Sequence, residues 1–104
     1  MSNENLKKAL IVTVKAHIGK GDEALAYLAD KDPLQVVANE EGTKTWYFVR
    51  QDKETFYVFD TFIDEAGRNA HIDGAIPKVV AARPDLFLPL EVKKVDIILS
   101  ATPK

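Results

Sequence analysis

Two neighbouring stretches, TKTWYFVRQ from Thr43 and TFYVFDTFI from Thr55, constrain the fold of this chain more than anything else in it. Both alternate like strands, and both carry bulky apolar groups on each parity. In the first, Thr45, Tyr47 and Val49 alternate with Trp46, Phe48 and Arg50. In the second, Phe56, Val58, Asp60 and Phe62 alternate with Tyr57, Phe59, Thr61 and Ile63. An antiparallel sheet ordinarily keeps one face wet, so two apolar faces imply a sheet covered twice. A chain of 104 residues supplies helices for one side only. Large apolar patches are rare on monomers, so the second cover is expected to be another copy of the chain, packed sheet to sheet about a two-fold axis.

The remaining elements follow from local signals. ALIVTVKA, residues 9 to 16, is β-branched and stops at the turn-like IGKG. Asp22 is an expected N-cap for EALAYLAD, and Asp32-Pro33-Leu34-Gln35 restarts the helix with a kink near Pro33. Gln51 to Glu54 reads as a polar turn. Asp64 is the expected cap of DEAGRNAHIDG. At about 100° per residue, Ala66, Ala70 and Gly74 share a face with Gly67 alongside, which predicts a small-residue inward stripe. Arg68 and Asn69 fall on the side expected to be solvated. AIPKVVAAR continues as helix, and VKKVDIILSA, residues 92 to 101, is the last strand. The order β-α-β-β-α-β is that of the ferredoxin-like α+β sandwich. Residues 1 to 7 read as a polar tail and residues 8 to 104 as one domain.

Composition removes several functions. The formal charge is −2 and no Lys/Arg run exceeds two residues, which argues against nucleic acid as a partner. No cysteine is present, so disulfides and thiolate chemistry are absent. No signal-peptide core and no run of about 18 apolar residues occurs, so a cytoplasmic protein without membrane attachment is expected.

GKGDEALAYL, NEEGTKTWYF and above all FYVFDTFIDEAGRNAH closely resemble the antibiotic biosynthesis monooxygenase family, whose members form dimeric α/β barrels. The match runs through residues 8 to 100 in order. The resemblance implies a homodimer in which each protomer keeps a pocket between sheet and helices. Members include monooxygenases that oxidise quinols and aromatic polyketides with no metal or flavin, and haem-degrading enzymes. This chain departs from the pattern in two ways. It has Asp60-Thr61-Phe62 where the family often has Glu-x-Trp. It also lacks the Asn on the first strand, within Ala9 to Lys15, and the His within Ala75 to Arg83 that the haem degraders share, so haem degradation is disfavoured.

Chemistry is expected at His71 and Asp60. Asp60 is an odd residue on an apolar strand face unless something pairs with it. A pair would fix the tautomer of His71 and leave its other nitrogen for a phenolic proton, the step that readies an electron-rich aromatic for oxygen. The alternative is a staple between helix and strand. Trp46, Phe48, Tyr57, Phe59 and Phe62 are the expected substrate-binding aromatics, with plain core or dimer interface as their bland reading. Trp46 and Tyr57 each add a donor. His17 reads as a surface residue. His71, Asp60 and Asp64 are a thin ligand set, so no metal is assigned, and the resemblance implies no cofactor. Two functions remain: a cofactor-independent monooxygenase acting on a hydroquinone or phenol, and a non-catalytic dimeric module, small-molecule-binding or stress-related.

Overall fold

A computed structural model describes residues 6–104. Most of the expected N-terminal tail, residues 1 to 5, lies outside the described residues. The elements run β1 (Lys8–Lys15), α1 (Gly21–Asp30), α2 (Pro33–Ala38), β2 (Thr43–Asp52), β3 (Thr55–Phe62), α3 (Glu65–Ile72), α4 (Ala75–Ala81) and β4 (Glu91–Asp96). The strands form one antiparallel sheet in the order β2-β3-β1-β4. Each crossover skips a strand, β1 to β2 over β3 and β3 to β4 over β1, so the helices gather on one face. This is the expected α+β ferredoxin-like sandwich.

Register sorts the side chains. Leu10 pairs with Asp60, Val12 with Val58 and Val14 with Phe56, while Trp46 pairs with Asp60 and Phe48 with Val58. These residues point toward the helices, where Leu10, Val14, Phe56 and Phe62 are buried with Ala24 and Val80. Phe48 stacks on Phe56 at 5.2 Å and on Trp46 at 6.2 Å. The opposite face carries Ile11, Tyr47, Val49 and Phe59, each more than a third exposed within the single chain. Both apolar faces read from the alternation are thus present, and the chain covers only one of them.

Several local expectations are corrected. The first helix begins at Gly21 with no side-chain cap, and Asp22 instead pairs with Arg50 at 2.8 Å. The kink near Pro33 is a break into two helices. Asp32 makes no capping bond and adopts a left-handed conformation with φ 51°. A proline disfavours α geometry in the residue before it, and Asp tolerates the left-handed region better than most. The β2–β3 hairpin turns at Lys53-Glu54 only, since β2 runs on through Asp52. Strand β4 ends at Asp96 rather than residue 101. Asp96 pairs with Lys8, the first residue of β1, so beyond it the ladder has no partner strand. Ile97 still donates to the Lys7 carbonyl, and Ile98 and Leu99 follow exposed.

The inward stripe of α3 is the largest correction. Asp64 caps this helix as expected, its side chain accepting from the Gly67 amide at 2.9 Å. Ala66 and Ala70 nevertheless face out, and the buried residues are Arg68 and His71. Arg68, read as solvated, is 4% exposed and donates to the Val95 carbonyl at 3.0 Å and the Ala9 carbonyl at 3.4 Å. Its long stem carries a charged head to the carbonyls of a facing pair in the β1–β4 ladder. Smallness matters most at Gly67, which lies backbone to backbone against Gly42. A Cβ on Gly42 would stand 2.5 Å from the Gly67 Cα, so neither position has room for a side chain.

Candidate functional site

The site is built from three places far apart in sequence. β3 holds Asp60 on its helix-facing side, between Leu10 of β1 and Trp46 of β2. The Asp64 cap fixes the start of α3 two residues after β3 ends, which sets the phase that turns His71 inward. The loop from α2 to β2 brings Glu40, held there by the Gly42–Gly67 contact.

His71 is 5% exposed and lies between two carboxylates. Its Nδ1 is 2.6 Å from Glu40 Oε1, and its Nε2 is 2.8 Å from Asp60 Oδ2. The first contact is an aligned hydrogen bond. The second is close enough for an ion pair but poorly aligned, so both oxygens of the fully buried Asp60 lack a hydrogen-bond partner among the described residues. Glu40 is steadied by the Thr43 hydroxyl, which donates to the same Oε1 at 2.6 Å. The Phe62 ring leans on the imidazole at 5.7 Å between centroids.

Burial pulls the imidazole pKa down, but the close contacts with Asp60 and Glu40, and the charges of the two carboxylates, together outweigh it and raise the pKa above 6.5. Below that raised value both ring nitrogens carry protons and each faces a carboxyl group. The expected pair of Asp60 and His71 is therefore in contact, but the expected free nitrogen is not there, because Glu40 occupies it. Glu40 was missed by sequence reasoning. Its only signal was its place in NEEGTKTWYF, and nothing local ties a loop glutamate to a histidine 31 residues later.

Beside this cluster lies a cavity of about 420 Å³ between sheet and helices, with His71 on its wall. Leu10, Val12 and Val58 form its floor, and Leu25, Leu28 and Ile76 lie on the helix side. Of the expected binding aromatics, Trp46 and Phe48 line it. Phe62 is fully buried in the core against His71. Tyr57 and Phe59 belong to the opposite face of the sheet, since strand alternation turns them away from Val58, and the Tyr57 hydroxyl donates to the Gln51 side chain. The indole N–H of Trp46 is buried without a partner among the described residues. His17 is half-buried at the end of β1, its Nε2 2.9 Å from the Pro84 carbonyl.

Asp60 and Glu40 approach opposite edges of one imidazole, so they do not converge on a point where a metal ion could sit. Among the described residues no group of three or more His, Asp or Glu forms a ligand set. No helix among them is long and apolar enough to cross a membrane.

No known family model matches the chain, and no curated protein matches it either. Solved structures do. A protein of unknown function from Nitrosomonas europaea is 34% identical over 95% of this chain and 96% of its own, with a TM-score of 0.84. A proposed antibiotic biosynthesis monooxygenase from Deinococcus radiodurans is 11% identical over 93% of this chain and 98% of its own, with a TM-score of 0.74. Another from Chloroflexus aurantiacus is 14% identical over 92% and 97%, with a TM-score of 0.66. At such low identity these two share the fold and carry no reaction across. The chain belongs to the family of the Nitrosomonas europaea protein, whose function is unknown, and is built on the fold of the antibiotic biosynthesis monooxygenases.

Proposed function

We propose that this protein binds a hydroquinone or another small phenolic aromatic in the cavity beside His71. The observation that carries the reading is the cavity itself, about 420 Å³, apolar, flanked by Trp46 and Phe48 and touching His71. Concave apolar sites with a few polar groups are where small ligands bind. Trp46 is the sole tryptophan, so its fluorescence reports occupancy directly. Titration with 1-naphthol or menadiol is expected to change the Trp46 emission with half-saturation in the micromolar range. No saturable change up to solubility defeats the reading.

Catalysis is the second reading, favoured by His71 lying on the cavity wall against Asp60. In it the protein is a monooxygenase that uses no cofactor. Above its raised pKa the imidazole gives up one proton, the part-exposed Glu40 swings off Nδ1 to admit the substrate hydroxyl, and that nitrogen takes the phenolic proton. The phenolate reduces dioxygen by one electron, and the radical pair joins as a ring peroxide. The O–O bond then breaks, leaving one oxygen on the ring carbon as a carbonyl and the other in water. Oxygen uptake over a panel of hydroquinones and anthrones tests this. Uptake is expected to rise with pH through the His71 pKa and to fall in His71→Ala. Rates no faster than buffer, or equal in wild type and variant, leave binding as the function.

The active unit is a homodimer joined through the outer sheet face. The exposed Tyr47, Val49, Phe59 and Ile11 support it, because apolar surface of that kind is rarely left to water. The absence of cysteine is consistent with work in the cytoplasm.

A further inference from the structure

We propose that Glu40 and Asp60, which stand behind His71 on the cavity wall, together give that wall a net negative charge, so that the site selects uncharged and cationic aromatics and rejects anions. The inference rests on the binding reading above and names the ligand class of that same cavity. Two carboxylates meet one imidazole, at 2.6 Å and 2.8 Å. A protonated ring neutralises only one of them, and a neutral ring leaves both, so with the carboxylates ionised the sum is negative either way. Asp60 is fully buried and cut off from water, and the Glu40 side chain, 20% exposed, is only partly screened by it. The Thr43 hydroxyl on Glu40 adds a donor but no positive charge. Across an apolar cavity such a charge acts with little screening.

One cation also lines the cavity. Lys31 is exposed, and its ammonium sits over the Tyr27 ring at 5.0 Å from the centroid. It stands where the cavity meets solvent and would hold an anion at the mouth rather than inside. The buried indole N–H of Trp46 adds a donor for a ligand oxygen. A hydroxyl can accept from it without bringing a second negative charge toward the two carboxylates.

The test uses three probes of one shape, 1-naphthylmethanol, 1-naphthylmethylammonium and 1-naphthoate, titrated by Trp46 fluorescence at neutral pH. It is run on the full chain and on Lys31→Met, which removes the mouth cation. The alcohol and the ammonium are expected to bind at least tenfold tighter than naphthoate to Lys31→Met. Glu40→Gln placed on that background is expected to bring the three within about threefold, and Asp60→Asn serves as a second route should Glu40→Gln unfold. Naphthoate binding as tightly as the alcohol in Lys31→Met overturns this proposal and leaves the binding reading standing. Selectivity unchanged in both carboxylate variants also overturns it. Binding of none of the three removes the binding reading and this proposal with it.

Discussion

Gly42→Ala probes how the site is assembled, because it acts on the loop that delivers Glu40 without touching any charged group. The added methyl would stand 2.5 Å from the Gly67 Cα and about as far from relief, since the next contacts are the Gly67 carbonyl carbon and oxygen at 3.4 and 3.5 Å. Carbon atoms in contact keep about 3.5–4.0 Å, so the loop or α3 must retreat by roughly 1 Å. Both partners are backbone, and no side chain can rotate out of the way. Moving Glu40 back by that distance stretches its 2.6 Å bond to His71 past the range of a hydrogen bond. Overpacking of this kind costs about 1–3 kcal/mol, and the loss of a charge-assisted bond adds up to about 1.5 kcal/mol after allowance for the partial exposure of Glu40. We expect Gly42→Ala to lose about 2–4 kcal/mol in urea denaturation and to lower the His71 pKa seen by NMR titration. Gly19→Ala is the control. It has nothing within 4 Å but sits at φ +80°, so it pays only for backbone strain of about 1–2 kcal/mol and leaves His71 unmoved. If Gly42→Ala loses less than about 0.5 kcal/mol and the His71 titration does not shift, the weld between loop and helix is not what places Glu40.

His71 makes stability depend on pH with a definite sign. Its folded pKa lies above the 6.5 of a free imidazole, so the folded chain holds the proton more tightly than the unfolded one. The stabilisation is complete below about pH 6.5 and is lost as pH rises through the folded value, so urea midpoints should decline on the alkaline side in wild type and not in His71→Gln. A decline of equal size in His71→Gln places the effect elsewhere. The outer sheet face is tested by Phe59→Glu, which sets a charge amid Ile11, Tyr47 and Val49. Light scattering at micromolar concentration should give a dimer for wild type and a monomer for the variant, and a monomeric wild type refutes the dimer outright.

Strand alternation carried most of the fold. The parities of β2 and β3 were legible residue by residue, including the two apolar faces, because a period of two leaves no freedom in which side chains share a face. The Asp64 cap was legible for the same reason, being set within three residues of the amide it accepts from. The phase of α3 was not. A stripe of Ala66, Ala70 and Gly74 satisfies helical spacing, yet smallness does not say which way a face points, and Arg68 inverted the outcome by reaching strand carbonyls. Asp60 announced itself as a charge on an apolar face in need of a partner, and His71 was near enough in the chain to be matched to it. Glu40 belongs to the same cluster but arrives through a Gly42–Gly67 contact that spans 25 positions and follows no periodic rule. The end of β4 was missed because strand length there is limited by where β1 begins.

The measurement closest to the centre of the account is a ¹H–¹⁵N and methyl NMR titration of the protein with 1-naphthol. Shifts should concentrate at His71, Ile72, Trp46, Phe48 and Val58, around the cavity, and the His71 ring signals should move with saturation matching the fluorescence of Trp46. Shifts confined to Tyr57, Phe59 and Ile11 on the outer face, with His71 unmoved, would contradict a ligand site beside the histidine.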